Sequence, residues 1–271
     1  MTPPRTAPAR ASRRVIMPPQ PRARTFRHFL SAGLCALALG GAGMATADAA
    51  SVGPRGGSDA PSTPPSTHAA PRLTIARLQY EGGGDWYANP SSLPNLLAAV
   101  RTRTSLPVER TEARVRIMDE ALWDLPYLHL TGHGEVKFGD DEVVRLREYL
   151  LRGGFLHADD NYGLDASFRR EMARVFPDRP LVEVPLSHPI YRAVYPFPRG
   201  LPKIHEHDGK PPRGYGVYVG GRLAVFYTVE CDLGNGWEDV GTYPGDPPAV
   251  HEQALRMGVN LFVYAVTSRL L

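Results

Sequence analysis

The sequence reads as an α/β domain: three layers, α/β/α, around a mostly parallel sheet, with a C-terminal β-hairpin extension and a final buried helix. Three observations carry that expectation. Two short apolar runs, residues 125–130 and 155–158, each end in a burst of polar and glycine residues. One well-marked helix, residues 140–152, lies between them, which is the pattern of a β-α-β unit and therefore of parallel strands. Further on, two β-rich runs, residues 215–219 and 223–229, are joined by Gly220-Gly221, the signal of a hairpin.

Residues 73–80 alternate and are β-rich, and Gly82, Gly83 and Gly84 break them into a loop that carries Trp86 and Tyr87. Ser91 or Ser92 can cap the next helix, where Pro94 is tolerated in the first turn and Leu96, Leu97 and Val100 form one apolar face. Residues 115–118 read as a second strand. The helix at 140–152 has an aspartate cap, an acidic first turn, Val143, Leu146 and Leu150 at helical spacing, and Gly153-Gly154 as its stop. A helix is expected over 165–176 and a strand over 181–184, followed by an irregular, proline-rich stretch over 185–212. The last helix, residues 248–267, is apolar on most sides, so it is expected to be buried.

The amino-terminal end is expected to be removed. Arg22, Arg24 and Arg27 precede an apolar run from residue 29 to about 41, and Ala45-Thr46-Ala47 and Ala47-Asp48-Ala49 offer small-residue cleavage sites. Residues 1–49 are therefore read as an export signal, by the general secretory route rather than the twin-arginine one, with Met17 as an alternative start to Met1. Prolines between Arg13-Arg14 and the apolar run disfavour the twin-arginine reading. Residues 50–71 are rich in Pro, Ser, Gly and Ala and read as a disordered linker, and residues 72–271 as one domain with a sizeable core. The expected location is periplasmic or secreted, with no transmembrane segment in the mature chain, since a span needs about 20 apolar residues.

The signal carries seven arginines and one aspartate, so the formal charge of +3 for the whole chain becomes −3 for the exported part. With no basic cluster left, nucleic acid is not an expected partner. Cys35 lies in the signal, leaving Cys231 alone, so no internal disulfide can form. Flanked by Glu230 and Asp232, Cys231 is expected to be buried and inert.

Parallel sheets bind ligands beyond the carboxyl ends of their strands, which directs attention to His133, Asp159 and Asp160. His133 stands between two glycines, where a chain approaches a ligand closely. In an extended segment Asp159 and Asp160 point to opposite faces, so one can enter a crevice while the other caps the next turn; alternatively both shape the turn with Asn161. His129 and His157 lie within their strands and read as hydrogen-bonded core histidines. His205 and His207 share a face if extended and can hold two positions on a divalent metal such as Zn²⁺, with a carboxylate such as Asp159 as the third. Asp232 and Trp237, in a glycine-rich stretch, either face a ligand beside Trp86 and Tyr87 or, for Trp237, plug the base of a loop. A Gly-x-Ser-x-Gly elbow, a phosphate-cradling lysine loop and a His-Glu-x-x-His pair are all absent from the sequence.

Four blocks in order, Leu130-Thr131-Gly132-His133-Gly134, residues 153–163, Ser187-His188-Pro189 and residues 232–237, resemble the bacterial family catalogued as domain of unknown function 4159, across residues 72–271. The resemblance implies a class I glutamine amidotransferase-like, flavodoxin-related architecture. In working amidotransferases the strand matching residues 155–158 leads into a nucleophilic cysteine. Here Asp159-Asp160 stand at that turn, so the resemblance does not extend to thiol-based glutamine hydrolysis.

Three functional readings follow. The first is an exported domain binding a small ligand, a sugar or peptide fragment from the cell envelope, in a crevice formed by Asp159, Asp160, His133 and the aromatic loops. The second is an aspartate-based or metal-assisted hydrolase. The third is a scaffold whose contact surface is the stretch 185–212. The oligomeric state is left open by the sequence.

Overall fold

The computed structural model of the chain describes residues 73–205 and 207–268. The expected export signal and linker lie outside the described residues.

Seven strands form one sheet: β1 (Ile75–Gln79), β2 (Ala113–Arg116), β3 (Tyr127–His133), β4 (Phe155–Tyr162), β5 (Val182–Glu183), β6 (Arg213–Val219) and β7 (Arg222–Val229), in the order β2-β1-β3-β4-β7-β6-β5. The first five in that order are parallel; β6 runs antiparallel to both β7 and β5. The hairpin extension thus grows out of the sheet's own fifth parallel strand. Its turn is made by Gly220 and Gly221, both at positive φ (56° and 83°), the conformation a two-residue hairpin loop of matching twist requires.

Helices cover both faces. α1 (Ser92–Arg103), α4 (Leu233–Trp237) and α5 (Pro248–Thr267) pack with Ile75, Tyr127, Phe155 and Phe226, whereas α2 (Asp140–Leu151) and α3 (Asp165–Val175) pack with Leu78, Leu130, Leu156 and Val225. Each central strand therefore splits its side chains between two cores, and β4 is buried from Phe155 to Asn161. That is why the parallel strands read as near-continuous apolar runs rather than alternating ones. Ten of the twenty residues of α5 are buried, all between Ala254 and Ala265, where the helix is apolar on most sides. Among the described residues no helix is long and apolar enough to cross a membrane.

Three details differ from expectation. β4 continues through Asp159, Asp160 and Asn161 instead of turning at them, because β7 pairs with it as far as Asp159 and β3 pairs with Asp160 and Tyr162. The cap of α2 is Gly139, whose N–H donates to Glu142 Oε2 at 2.8 Å, with Asp140 already helical. The glycine-rich stretch after Asp232 is a one-turn helix, α4, that docks against α5.

Candidate functional site

Strand order reverses between β1 and β3: from β1 the chain moves outward to β2, from β3 to β4 on the other side. Such a reversal leaves a crevice outside the carboxyl ends of the two strands. Into it come the loop after β1 and the last residues of β3. The His133 N–H donates to Asp85 Oδ1, and His133 Nδ1 lies 3.1 Å from Asp85 Oδ2, so carboxylate and imidazole form an exposed pair. Gly132 makes this possible. Its φ is +142°, and a Cβ there would sit 2.5 Å from the Tyr80 hydroxyl and 2.8 Å from Asp85 Oδ1.

Asp159 and Asp160 do point to opposite faces. Asp160, facing α3, accepts from Leu164 N–H (3.0 Å) and from the Tyr227 hydroxyl (3.2 Å), so it caps the turn into α3 while also lining a groove. Asp159, facing α4, is fully buried and accepts from Gly234 N–H (2.7 Å) and the Thr228 hydroxyl (2.5 Å). Burial pushes its carboxyl up to about 6, against the lowering effect of those donors.

Behind Asp159 runs a directed chain of hydrogen bonds. The single Thr228 proton goes to Asp159 Oδ1 rather than to the Ala158 carbonyl at 3.3 Å, so Thr228 must accept from His157 Nε2, 3.1 Å away. Burial pushes His157 down to about 3 and His129 well below its usual range, so both rings are neutral. With its proton on Nε2, His157 accepts at Nδ1 from His129 Nδ1–H, 3.2 Å away. The tautomers are assigned by this proton count. His129 and His157 are thus hydrogen-bonded core histidines, as the sequence indicated.

On the other side of the edge stands a second imidazole–carboxyl pair. His207 Nε2 is hydrogen-bonded to Asp232 Oδ2. Asp232 is fully buried and held at φ +55°, and its other oxygen, Oδ1, has no partner among the described residues. Burial, with Asp159 and Asp160 nearby, pushes Asp232 up to about 9. Burial and the neighbouring His205 push His207 down. The pair therefore holds one proton between its two members at neutral pH. Glu230 and Asn89 are also left-handed, at φ +58° and +57°. Three non-glycine residues in that conformation at one edge of the sheet is the kind of stored strain that concentrates at functional sites.

The remaining expected site residues divide. Tyr87 is exposed and packs edge-on to the half-buried Trp86, with ring centroids 5.5 Å apart. Asn161 is buried; its Oδ1 accepts from Thr131 (3.1 Å) and its Nδ2 has no partner among the described residues. Trp237 does not face the crevice. It is fully buried and donates from Nε1 to the Ala254 carbonyl at 2.8 Å, because α4 turns it into the α1–α5 interface, and it is the plug of the two alternatives. His205 lies beside His207, with centroids 5.3 Å apart, but Asp159 does not join them: both its oxygens are engaged at Thr228 and Gly234. Among the described residues no three His, Cys, Asp or Glu side chains converge into a metal-holding group. Cys231 is fully buried, donates to the Pro202 carbonyl at 3.0 Å, and is pushed well above the usual thiol range by burial and by Asp159 and Asp232.

Several contributors escaped the sequence reading. Asp85 was legible in principle, since it follows the glycine run at the end of β1. Arg77 was not. This buried arginine pairs with Glu112 (2.9 Å) and reaches the Ala88 and Asn89 carbonyls (2.6 and 3.1 Å), holding the strained Asn89 loop against α1. Glu238, distant in sequence, caps α1 by accepting from Ser91 and Ser92 N–H, both at 3.0 Å.

A family model described as Domain of unknown function (DUF4159) matches residues 74–266. No curated protein matches the chain.

Proposed function

The chain belongs to the DUF4159 family, whose description assigns no reaction, and we propose that it is a domain that binds a small polar ligand, a sugar or peptide fragment, at the carboxyl edge of its sheet. The observation that carries this is the His207–Asp232 pair. A buried carboxyl in a left-handed backbone, with one oxygen unpaired and two further carboxylates close by, is costly to fold around and is explained by a role in recognition. His133 and Asp85 supply the opposite side, and His133 is near enough to His207 to bear on its charge. The exposed ring of Tyr87 adds a flat apolar surface of the kind sugars and peptides stack on.

The strand order β2-β1-β3-β4-β7 corresponds to the 2-1-3-4-5 order of doubly wound sheets and supports the flavodoxin-related, amidotransferase-like architecture. It supports no thiol chemistry, since Cys231 is sealed. A second reading, an aspartate-based hydrolase, is favoured by one observation: a carboxyl kept protonated beside an imidazole can serve as an acid–base pair. The amino-terminal signal pattern supports export, which would place the ligand in the cell envelope.

Thermal denaturation of the purified protein with chitotriose and with trialanine tests the reading. A rise in Tm with either probe, lost in His207→Ala and reduced in His133→Ala, is the expected result. No rise with either probe would remove the ligand-binding reading for these classes. Release of product from the bound probe would move the assignment to the hydrolase.

A further inference from the structure

We infer that the groove beside Tyr162 takes a ligand bearing both a free amine and a free carboxylate, a short peptide; this rests on the ligand-binding reading above and names the ligand. The groove has a volume of about 600 Å³, within the range of small-molecule sites. It adjoins the His207–Asp232 pair, because Tyr162, which forms part of its wall, stacks on the His207 ring at 4.9 Å.

Its charges are layered. The floor is acidic: Asp160 is only 7% exposed and the Glu230 side chain 10%. The rim is basic, with Lys210 68% and Arg213 54% exposed. Glu230 is paired with Lys203 at 2.7 Å, whereas Asp160 accepts only from neutral donors, Leu164 N–H and Tyr227. Among the described residues no lysine or arginine pairs with Asp160. The cations that line the groove are engaged elsewhere, Arg169 with Asp165 at 2.8 Å, Lys210 with Asp208 and Arg213 with Glu183, so the desolvated Asp160 carboxylate is left to be compensated by an incoming ammonium.

At the rim the cations have partners, but weakly held ones. Lys210 meets Asp208 at 3.1 Å and Arg213 meets Glu183 at 3.9 Å, both in exposed positions. Exposed pairs of this kind contribute little, so a ligand carboxylate can replace the protein one. Arg169 lies over the Tyr215 ring, 4.4 Å from its centroid, giving the wall a flat surface between floor and rim. An amine held deep and a carboxylate held at the mouth are the two ends of an unblocked peptide, while a neutral sugar would leave Asp160 without its cation.

Calorimetric titration of the purified protein with trialanine, N-acetyl-trialanine and trialanine amide decides the matter. The free peptide is expected to bind, and each blocked form to bind at least tenfold more weakly. In Asp160→Asn the free and acetylated forms should bind alike, and in Arg213→Ala the free and amidated forms should converge. Equal binding of all three peptides to the unmodified protein would overturn the inference, and that comparison stands even if Asp160→Asn fails to fold. Failure of trialanine alone, with chitotriose still bound in a His207-dependent manner, would also overturn it while leaving the ligand-binding reading in place. Failure of both probes would remove the two together.

Discussion

The Thr228 hydroxyl on β7 and the Asp159 carboxylate on β4 meet at 2.5 Å, and through this contact the core histidines are connected to the helix that carries the edge of the sheet. Asp159 in turn holds the first turn of α4 through Gly234, two residues after Asp232. The hydroxyl accepts from His157 and donates to Asp159, so it relays the direction of the whole path.

Replacing that hydroxyl should therefore be severe. Thr228→Val keeps the shape but leaves Asp159 Oδ1 without its donor and His157 Nε2–H without an acceptor. Two buried polar groups left unpaired predict a loss of about 3 kcal/mol. Thr228→Ser, which keeps the oxygen, should lose about 1 kcal/mol or less. Urea denaturation of the three proteins measures the difference, and equal losses in both variants would contradict the directed chain.

Asp159 should give stability a distinctive pH dependence. Its carboxyl moves from an ordinary 3.8 to about 6 on folding, so between those values the folded state binds the proton more tightly. That contribution is complete below about pH 4 and is lost as pH rises through 6, lowering stability by about 3 kcal/mol at neutral pH relative to an unshifted group. In Asp159→Asn the carbonyl can still accept from Gly234, and the amide can donate to Thr228, whose proton then turns to the Ala158 carbonyl at 3.3 Å. The variant should fold and lack this part of the slope. In denaturation at pH 4.5, 6 and 7.5 the variant should gain on the unmodified protein as pH rises, the gap being smallest at the acid end; a gap that widens towards acid pH would contradict the sign.

Asp232 should remain protonated at neutral pH. Burial and the two nearby aspartates hold it up to about 9, so its carboxyl ¹³C resonance is expected in the protonated range at pH 7, moving only as pH approaches 9. A carboxyl resonance already in the ionised position at pH 6, with the His207 ring neutral, would remove the shared-proton description of the pair. Backbone strain gives a separate check: Asp232→Asn tolerates the left-handed conformation, while Asp232→Val should cost a further 2 kcal/mol or so.

Gly132 and Gly134 flank the same histidine but should respond differently to alanine. A Cβ at Gly132 would lie 2.5 Å from the Tyr80 hydroxyl and 3.0 Å from the Asp85 backbone, at a φ of +142°. At Gly134 the nearest atom is 3.5 Å away, leaving only the strain of its positive φ. Gly132→Ala is expected to destabilise by about 3 kcal/mol and to separate His133 from Asp85, and Gly134→Ala by about 1 kcal/mol. Thermal melts, with the His133 ring followed by NMR, distinguish the two.

Periodicity alone was enough for the layers. The Asp140–Leu151 helix, the two apolar runs around it and the Gly-Gly hairpin are local patterns, and each element formed close to where its pattern placed it. The opposite facing of Asp159 and Asp160 was legible for the same reason: side chains alternate along any strand. Their roles were not, because what each carboxylate meets is set by β7, α3 and α4, which come from elsewhere in the chain.

Composition and local spacing thus determined the class of fold, the apolar last helix, the buried cysteine and the strand ends that carry His133, Asp159 and Asp160. Tertiary structure decided which residues gather there. Asp85 reaches His133 across 48 positions and His207 reaches Asp232 across 25, while Trp237, promising as sequence, is turned inward by a helix one turn long. Alternation and helical period are properties of neighbouring residues, whereas desolvation and hydrogen-bond pairing depend on contacts between distant ones, so only the folded chain could assign them.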